Sequence, residues 1–298
     1  MENREDFMIK RWIEYFLFLI VANTIKMLPL SISFFLGSIL GKIAYIVLPK
    51  YRRKAFRNLR LIFPDSSKAK IKFITHKIFQ NFGKSFIEFL HFSKANKENI
   101  KKYVTVEGIN YLKEALEEGK GIIIFSGHLG NWEVIPLTFA LMGYPMSVLV
   151  KGQSNKYIDN MINRIREKEG TEVIDLGRAP KKIINLLQNG KIVGMVGDQS
   201  KDSGIKVNFF NKPILVPQGA ASFALRYNAA ILPTFDIREE NNKHRIIIEP
   251  PLTFSESEKE KITLEDIMNK LMKKVEKYVD RYPEQWIWWY HQWKEDNR

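Results

Sequence analysis

Cysteine is absent from this sequence of 298 residues. Disulfide staples, thiolate metal sites and a cysteine nucleophile are thereby excluded. Histidine is scarce: His76, His91, His128, His244 and His291 are the full set, and no two fall at metal-ligand spacing. Neither an HExxH run nor a calcium-loop pattern of carboxylates occurs, so no metal and no cofactor is expected. The N-terminus lacks the layout of a cleavable signal peptide, because Met1–Arg11 is mixed in charge and no small-residue cleavage site follows the apolar run. Also missing is a clean apolar run of the ~20 residues that a spanning helix needs. Tyr15–Ala22 is apolar but is followed by Asn23 and Lys26, and Leu30–Leu48 is apolar apart from Ser, Gly and Lys42.

Acidic residues are in deficit. Asp plus Glu number 33 against 47 Lys plus Arg, a net charge of +14. Such a surplus favours an anionic partner. Nucleic acid is not expected, because the basic residues are scattered and no aromatic-interleaved or helix-turn-helix pattern accompanies them. Trp12 and Tyr15 flank the first apolar stretch, and Arg52, Arg53, Lys54, Arg57 and Arg60 follow the second. Interfacial aromatics and juxtamembrane basic residues fit an anionic membrane surface. Residues 1–60 are therefore expected to be membrane-associated helices, spanning or lying in the interface, and residues 61–298 a catalytic domain.

Phe63-Pro64-Asp65 breaks the pattern, and Ser66 or Ser67 can cap the helix that follows. There Ile71, Ile74, Ile78, Phe82, Phe86 and Phe89 recur at helical spacing, which predicts one core-facing side. From about residue 103 short strands alternate with helices. Strands are expected at 103–106, 121–126, 146–150, 171–175, 192–197, 207–210, 230–236 and 245–249. Helices are expected at 111–118, 131–141, 156–169, 181–188, 220–227 and 262–281. Ile122-Ile123-Ile124-Phe125 is apolar on both faces, as in a covered central strand. The alternation predicts an α/β fold, a mostly parallel central sheet flanked by helices. Ligands in such sheets bind beyond the carboxyl ends of the strands. Ser255–Lys261 reads as a solvated charged linker. Trp286, Trp288, Trp289, Tyr290 and Trp293 suit either a bilayer interface or packing on the domain.

The segment carrying chemistry is Gly121–Glu133, GIIIFSGHLGNWE. A buried strand ends at Ser126, a glycine-flanked turn holds His128, and a helix is expected from Asn131. In a continuous helix the side chains of His128 and Glu133 would point about 140° apart. They meet only if His128 sits on the turn, which its glycines allow. A neutral imidazole can then take the proton of an attacking hydroxyl. A carboxylate on its other nitrogen fixes the tautomer and stabilises the imidazolium. On this expectation His128 is the base and Glu133 its partner, and N–H groups near Gly130 and Asn131 stabilise the oxyanion.

GHxGNWE resembles the bacterial lipid A biosynthesis acyltransferases, members of the His-x4-Asp/Glu glycerolipid acyltransferase superfamily. The resemblance covers nearly the whole chain. It includes RRKAFRNLRLIFPD at Arg52–Asp65, NFGKSFIEF at Asn81–Phe89, GDQ at Gly197–Gln199, FFNKPILVPQG at Phe209–Gly219 and PEQWIWWYHQWK at Pro283–Lys294. It implies transfer of a fatty-acyl group onto a lipid hydroxyl, catalytic roles for His128 and Glu133, and an N-terminal anchor. It also implies an active site on the cytoplasmic face of the inner membrane, an acyl carrier protein (or acyl-CoA) donor and an anionic glycolipid acceptor. Arg164 and Arg166 offer donors for a phosphate or the carrier. Asp198 and Gln199, after an apolar strand, are placed to line the site. The chain departs from the family pattern at Asn211, where glycine usually follows Phe-Phe, and at Gln292, where arginine often follows histidine.

Overall fold

The computed structural model describes residues 4–199, 203–252, 261–290 and 293. His291, Gln292 and the expected linker up to Glu260 lie outside them.

Four helices come first: α1 (Arg4–Met27), α2 (Leu30–Val47), α3 (Pro49–Ile62) and α4 (Lys68–His91). Pro49 occupies the first turn of α3, where its missing N–H costs nothing. Ser67 caps α4, its hydroxyl accepting from the Lys70 N–H at 3.2 Å. α2 and α4 run antiparallel, with Ser33 against His91 and Tyr45 against His76. Between those points the backbones touch. A methyl on Gly41 would lie 2.2 Å from the Phe79 carbonyl oxygen, and one on Gly83 2.2 Å from that of Gly37. α3 sends Ala55 and Leu59 into the main core.

The rest of the chain builds the sheet. In order come α5 (Lys97–Tyr103), β1 (Val104–Glu107), α6 (Ile109–Glu117), β2 (Ile122–Ser126), α7 (Val134–Leu141), β3 (Met146–Val150), α8 (Lys156–Glu167) and β4 (Glu172–Asp175). Then follow α9 (Ala179–Gln188), β5 (Ile192–Val196), β6 (Ile205–Phe209), β7 (Lys212–Val216), α10 (Gly219–Tyr227), β8 (Ala230–Arg238), β9 (His244–Ile248) and a final helix, Leu264–Arg281. Seven strands form one sheet in the order β1-β9-β8-β2-β5-β3-β4. The run from β8 to β4 is parallel, while β9 is antiparallel to β8. The mostly parallel, helix-flanked α/β sheet is thus as expected. β2 lies near its centre and is buried throughout. Ile123 and Phe125 enter the core on one face, Ile122 and Ile124 that on the other.

Two details depart from the pattern. Phe82 is 40% exposed and only meets Trp289 edge-on, because α4 turns that position away from the sheet. The segment after β5 holds a β6–β7 hairpin where one strand was expected, since Pro213 argues against a strand from sequence. Its two turn residues, Phe210 and Asn211, have φ of 53° and 55°. This left-handed pair is the geometry for which hairpins favour Asn and Gly. It accounts for a glycine-like position at Asn211, and the turn is held by the Phe210 N–H donating to Glu276 at 2.6 Å.

Candidate active site

β2 and β5 are neighbours with Ser126 opposite Val196. His128 and Asp198 each lie two residues beyond those ends, so the register itself sets them side by side. The His128 Nδ1 lies 2.6 Å from Asp198 Oδ1. A carboxylate only accepts, so Nδ1 is the donor, and in the neutral ring the lone pair falls on Nε2. The other oxygen, Oδ2, accepts from the His128 backbone N–H and from Trp286 Nε1, both at 2.7 Å. Asp198 is fully buried. Gly127 makes the approach possible, since a Cβ there would stand 2.9 Å from Asp198 Oδ2.

The turn is clamped from outside. Gly130 N–H donates to the Gln285 carbonyl and Ile287 N–H to that of His128, so Leu129 and Trp286 form an antiparallel bridge. Trp132 and Tyr290 stand edge-on to the imidazole at 4.8 and 5.0 Å. Burial, then Asp198 and Tyr51, raise the Tyr290 hydroxyl pKa. The C-terminal tryptophans pack on the domain: Trp286 and Trp288 are fully buried, and Trp289 and Trp293 nearly so.

His128 opens onto a cleft of about 1900 Å³ at the carboxyl ends of β2, β3 and β5, lined by residues from both faces of the sheet. Its apolar lining includes Ile124, Ile135, Met146, Val148, Ile183, Met195 and Phe223. Its cations are Lys50, Lys54, Lys151, Arg166, Lys206 and Lys212, and Glu133 is the one carboxylate among the lining residues described. Burial, reinforced by Arg57 and Lys50, lowers the Lys54 pKa. His, Cys, Asp and Glu gather nowhere among the described residues in a group able to hold a metal ion.

The expected pairing of His128 with Glu133 is corrected: the carboxylate on the ring is that of Asp198. α7 starts only at Val134, so Glu133 stays in the turn and swings to α8. There it holds Arg166 through both oxygens, Nε–Oε2 2.9 Å and Nη2–Oε1 2.5 Å. The pair lies in the same cleft as His128. Gln199 and Arg166 line the cleft, while Arg164 is exposed and outside it. The Gly130 and Asn131 N–H groups are also corrected as oxyanion donors. The first is spent on Gln285 and the second on Asp236 Oδ2 at 2.8 Å, and neither residue lines the cleft.

Beneath the turn is a buried ionic network that no spacing in the sequence announced. Glu88 pairs with Arg238 at 2.7 Å and His244 at 2.8 Å, and His244 Nδ1 also meets Asp236 at 2.8 Å. Asn131 Nδ2 donates to Glu88 at 2.6 Å. Burial opposes charge on His244, but Asp236 and Glu88 overcome it and raise its pKa to about 9. Glu88 is held well below the usual carboxylate range by Arg238 and His244 against the cost of burial. Asp236 also fixes Gly130, whose φ is +60° and where a Cβ would lie 2.2 Å from the Asp236 carbonyl oxygen.

The family model of bacterial lipid A biosynthesis acyltransferases matches residues 3–295. The chain belongs to that family. Relatives across its length include "Lipid A biosynthesis acyltransferase 2" of Shigella flexneri, 26% identical over 93% of this chain and 88% of the relative. "Lipid A biosynthesis palmitoleoyltransferase" of Escherichia coli K12 is 23% identical over 90% and 86%. "Phosphatidylinositol mannoside acyltransferase" of Mycobacterium tuberculosis H37Rv is 26% identical over only 43% and 42%. This lipid A acyltransferase family member is thus an acyltransferase with its histidine turn at the carboxyl end of the central strand.

Proposed function

We propose that this acyltransferase moves a fatty-acyl chain from an acyl thioester, carried by acyl carrier protein, to a hydroxyl of a lipid A precursor at the cytoplasmic face of the inner membrane. The observation that carries the reading is the Nδ1–Asp198 clamp, which leaves Nε2 of His128 as a base at the mouth of an apolar cleft. His128 Nε2 takes the hydroxyl proton as the oxygen attacks the thioester carbonyl. The tetrahedral intermediate expels the thiolate, which receives that proton from the imidazolium. Asp198 stabilises the imidazolium in between. Glu133 serves the site through Arg166, whose guanidinium faces the cleft and suits an anionic substrate group. The cationic lining supports both a developing oxyanion and phosphorylated ligands. The apolar wall suits the acyl chain.

Acyl transfer from labelled acyl carrier protein to purified lipid A precursor tests this directly. Product with wild type and none with His128→Ala supports it. A product that forms only on a lysophospholipid or another glycolipid keeps the chemistry and replaces the acceptor. Undiminished product with His128→Ala removes the mechanism.

A further inference from the structure

α1 and α2 are held to the protein along one side and are bare and apolar on the other. On α2, Ser33, Phe34, Gly37 and Gly41 are buried against α4. The opposite side carries Ile32, Phe35, Ile43, Ile46 and Val47, each 46% exposed or more. Separations of three, four and eight residues put them on one helical face, a single stripe. α1 repeats the arrangement. Ala22 and Ile25 are buried, while Ile9, Ile13, Phe16 and Ile20 are more than half exposed. Stripes of this size on a soluble surface mark an interaction site.

Leu30–Val47 is the one helix among the described residues long and apolar enough to cross a membrane, yet its attachment to α4 speaks against crossing. α4 lies antiparallel beside it from Ser33 to Tyr45 with backbones in contact. Within that stretch α4 carries Lys77 and Lys84, and its far end holds the buried Glu88. Standing α2 across a bilayer would carry Lys84, which lies beside Gly37 at mid-helix, into the hydrocarbon, where a charge is costly. α1 is tied down at both ends of its stripe. Asn155 donates to the Arg11 carbonyl and to Glu14, and Phe18 meets Phe86 edge-on.

We propose that the protein is monotopic, and that α1 and α2 lie flat in one leaflet with their outer stripes among the acyl chains. This rests on the membrane location stated under Proposed function and specifies its geometry. The chemistry around the stripes fits an anionic leaflet: Lys10, Lys26, Lys42, Lys50 and Arg53 border them. The surface also continues into the active site. The exposed Ile46 and Val47 end α2, the exposed Leu48 follows, and two residues later Lys50, Tyr51 and Lys54 line the cleft. A lipid hydroxyl therefore reaches His128 from the plane of the membrane, without leaving it.

The lack of native cysteine makes the test clean. Single cysteines at Lys10, Ser31 and Arg53, all outside the cleft lining, are labelled with a membrane-impermeant maleimide in sealed inside-out and right-side-out vesicles. All three label in the same orientation under this proposal. Labelling of Ser31→Cys and Arg53→Cys in opposite orientations means that α2 spans, and overturns it. In parallel, Phe35→Glu with Ile43→Glu is expected to shift at least 10-fold more protein from vesicles of phosphatidylglycerol and phosphatidylethanolamine into the supernatant. Its acyl transfer on detergent-dispersed substrate stays at the wild-type level. Unchanged vesicle binding of that variant overturns the lipid contact. Wild-type protein without transfer in detergent refutes the catalytic reading instead, whatever the labelling shows.

Discussion

At 2.6 Å from a buried carboxylate, the His128 ring has one orientation and one tautomer. Asp198→Asn preserves the shape but can donate where the carboxylate only accepted, so the tautomer is lost. We expect kcat to fall by about 10³–10⁴-fold, on the scale seen when a triad aspartate becomes asparagine, with circular dichroism unchanged. Glu133→Gln should do less, roughly 10-fold, and mainly in KM, because it loosens Arg166 and not the base. Equal losses for the two variants would make the carboxylates equivalent and contradict this division. His244 predicts a pH effect on stability. Its folded pKa of about 9 exceeds the ordinary 6.5, so its contribution is full below about pH 6.5 and disappears as pH rises through 9. Thermal melts from pH 6 to pH 10 should show wild type losing stability over this window, and His244→Gln showing a flatter profile from a lower start. At this scale the sequence was half legible. His128 is evident from its glycines. Its partner is not, because Asp198 is 70 residues away and is brought in by strand register and not by local spacing.

Elements were easier to read than their partners. A buried strand such as β2 displays its apolar run directly, and helices such as α9 and α10 display their period, so most boundaries fall within two residues of expectation. α7 is the informative exception. It begins three residues later than expected, and those residues decide whether Glu133 points at His128 or at Arg166. The hairpin partner β7 was hidden by a proline. The α2–α4 contact was hidden too, because Gly37, Gly41 and Gly83 look like ordinary interruptions until two backbones meet there. Gly41→Val tests that contact. The added methyls have only Phe79 and Gln80 backbone to displace, so we expect at least ~2 kcal/mol of destabilisation, the range of overpacked cores. A melting temperature within a degree of wild type would show that the helices move apart freely.

The whole molecule is a cation with an exposed apolar side and a charged mouth. Its +14 charge and the lysines around the cleft should accelerate encounter with an acidic donor. Raising sodium chloride from 50 to about 500 mM is then expected to lower kcat/KM for acyl carrier protein by 10-fold or more and to leave kcat nearly constant, since screening acts on approach. A salt-independent kcat/KM would show that charge plays no part in capture. The strap formed by Gln285–Ile287 has a consequence for how activity arises. Those residues are translated after every strand, yet they supply the indole that binds Asp198 and the backbone that pins the histidine corner. A nascent chain can thus complete its sheet while still inert. On the proposed mechanism, competence for acyl transfer waits for the tryptophan-rich stretch to fold back and close the corner.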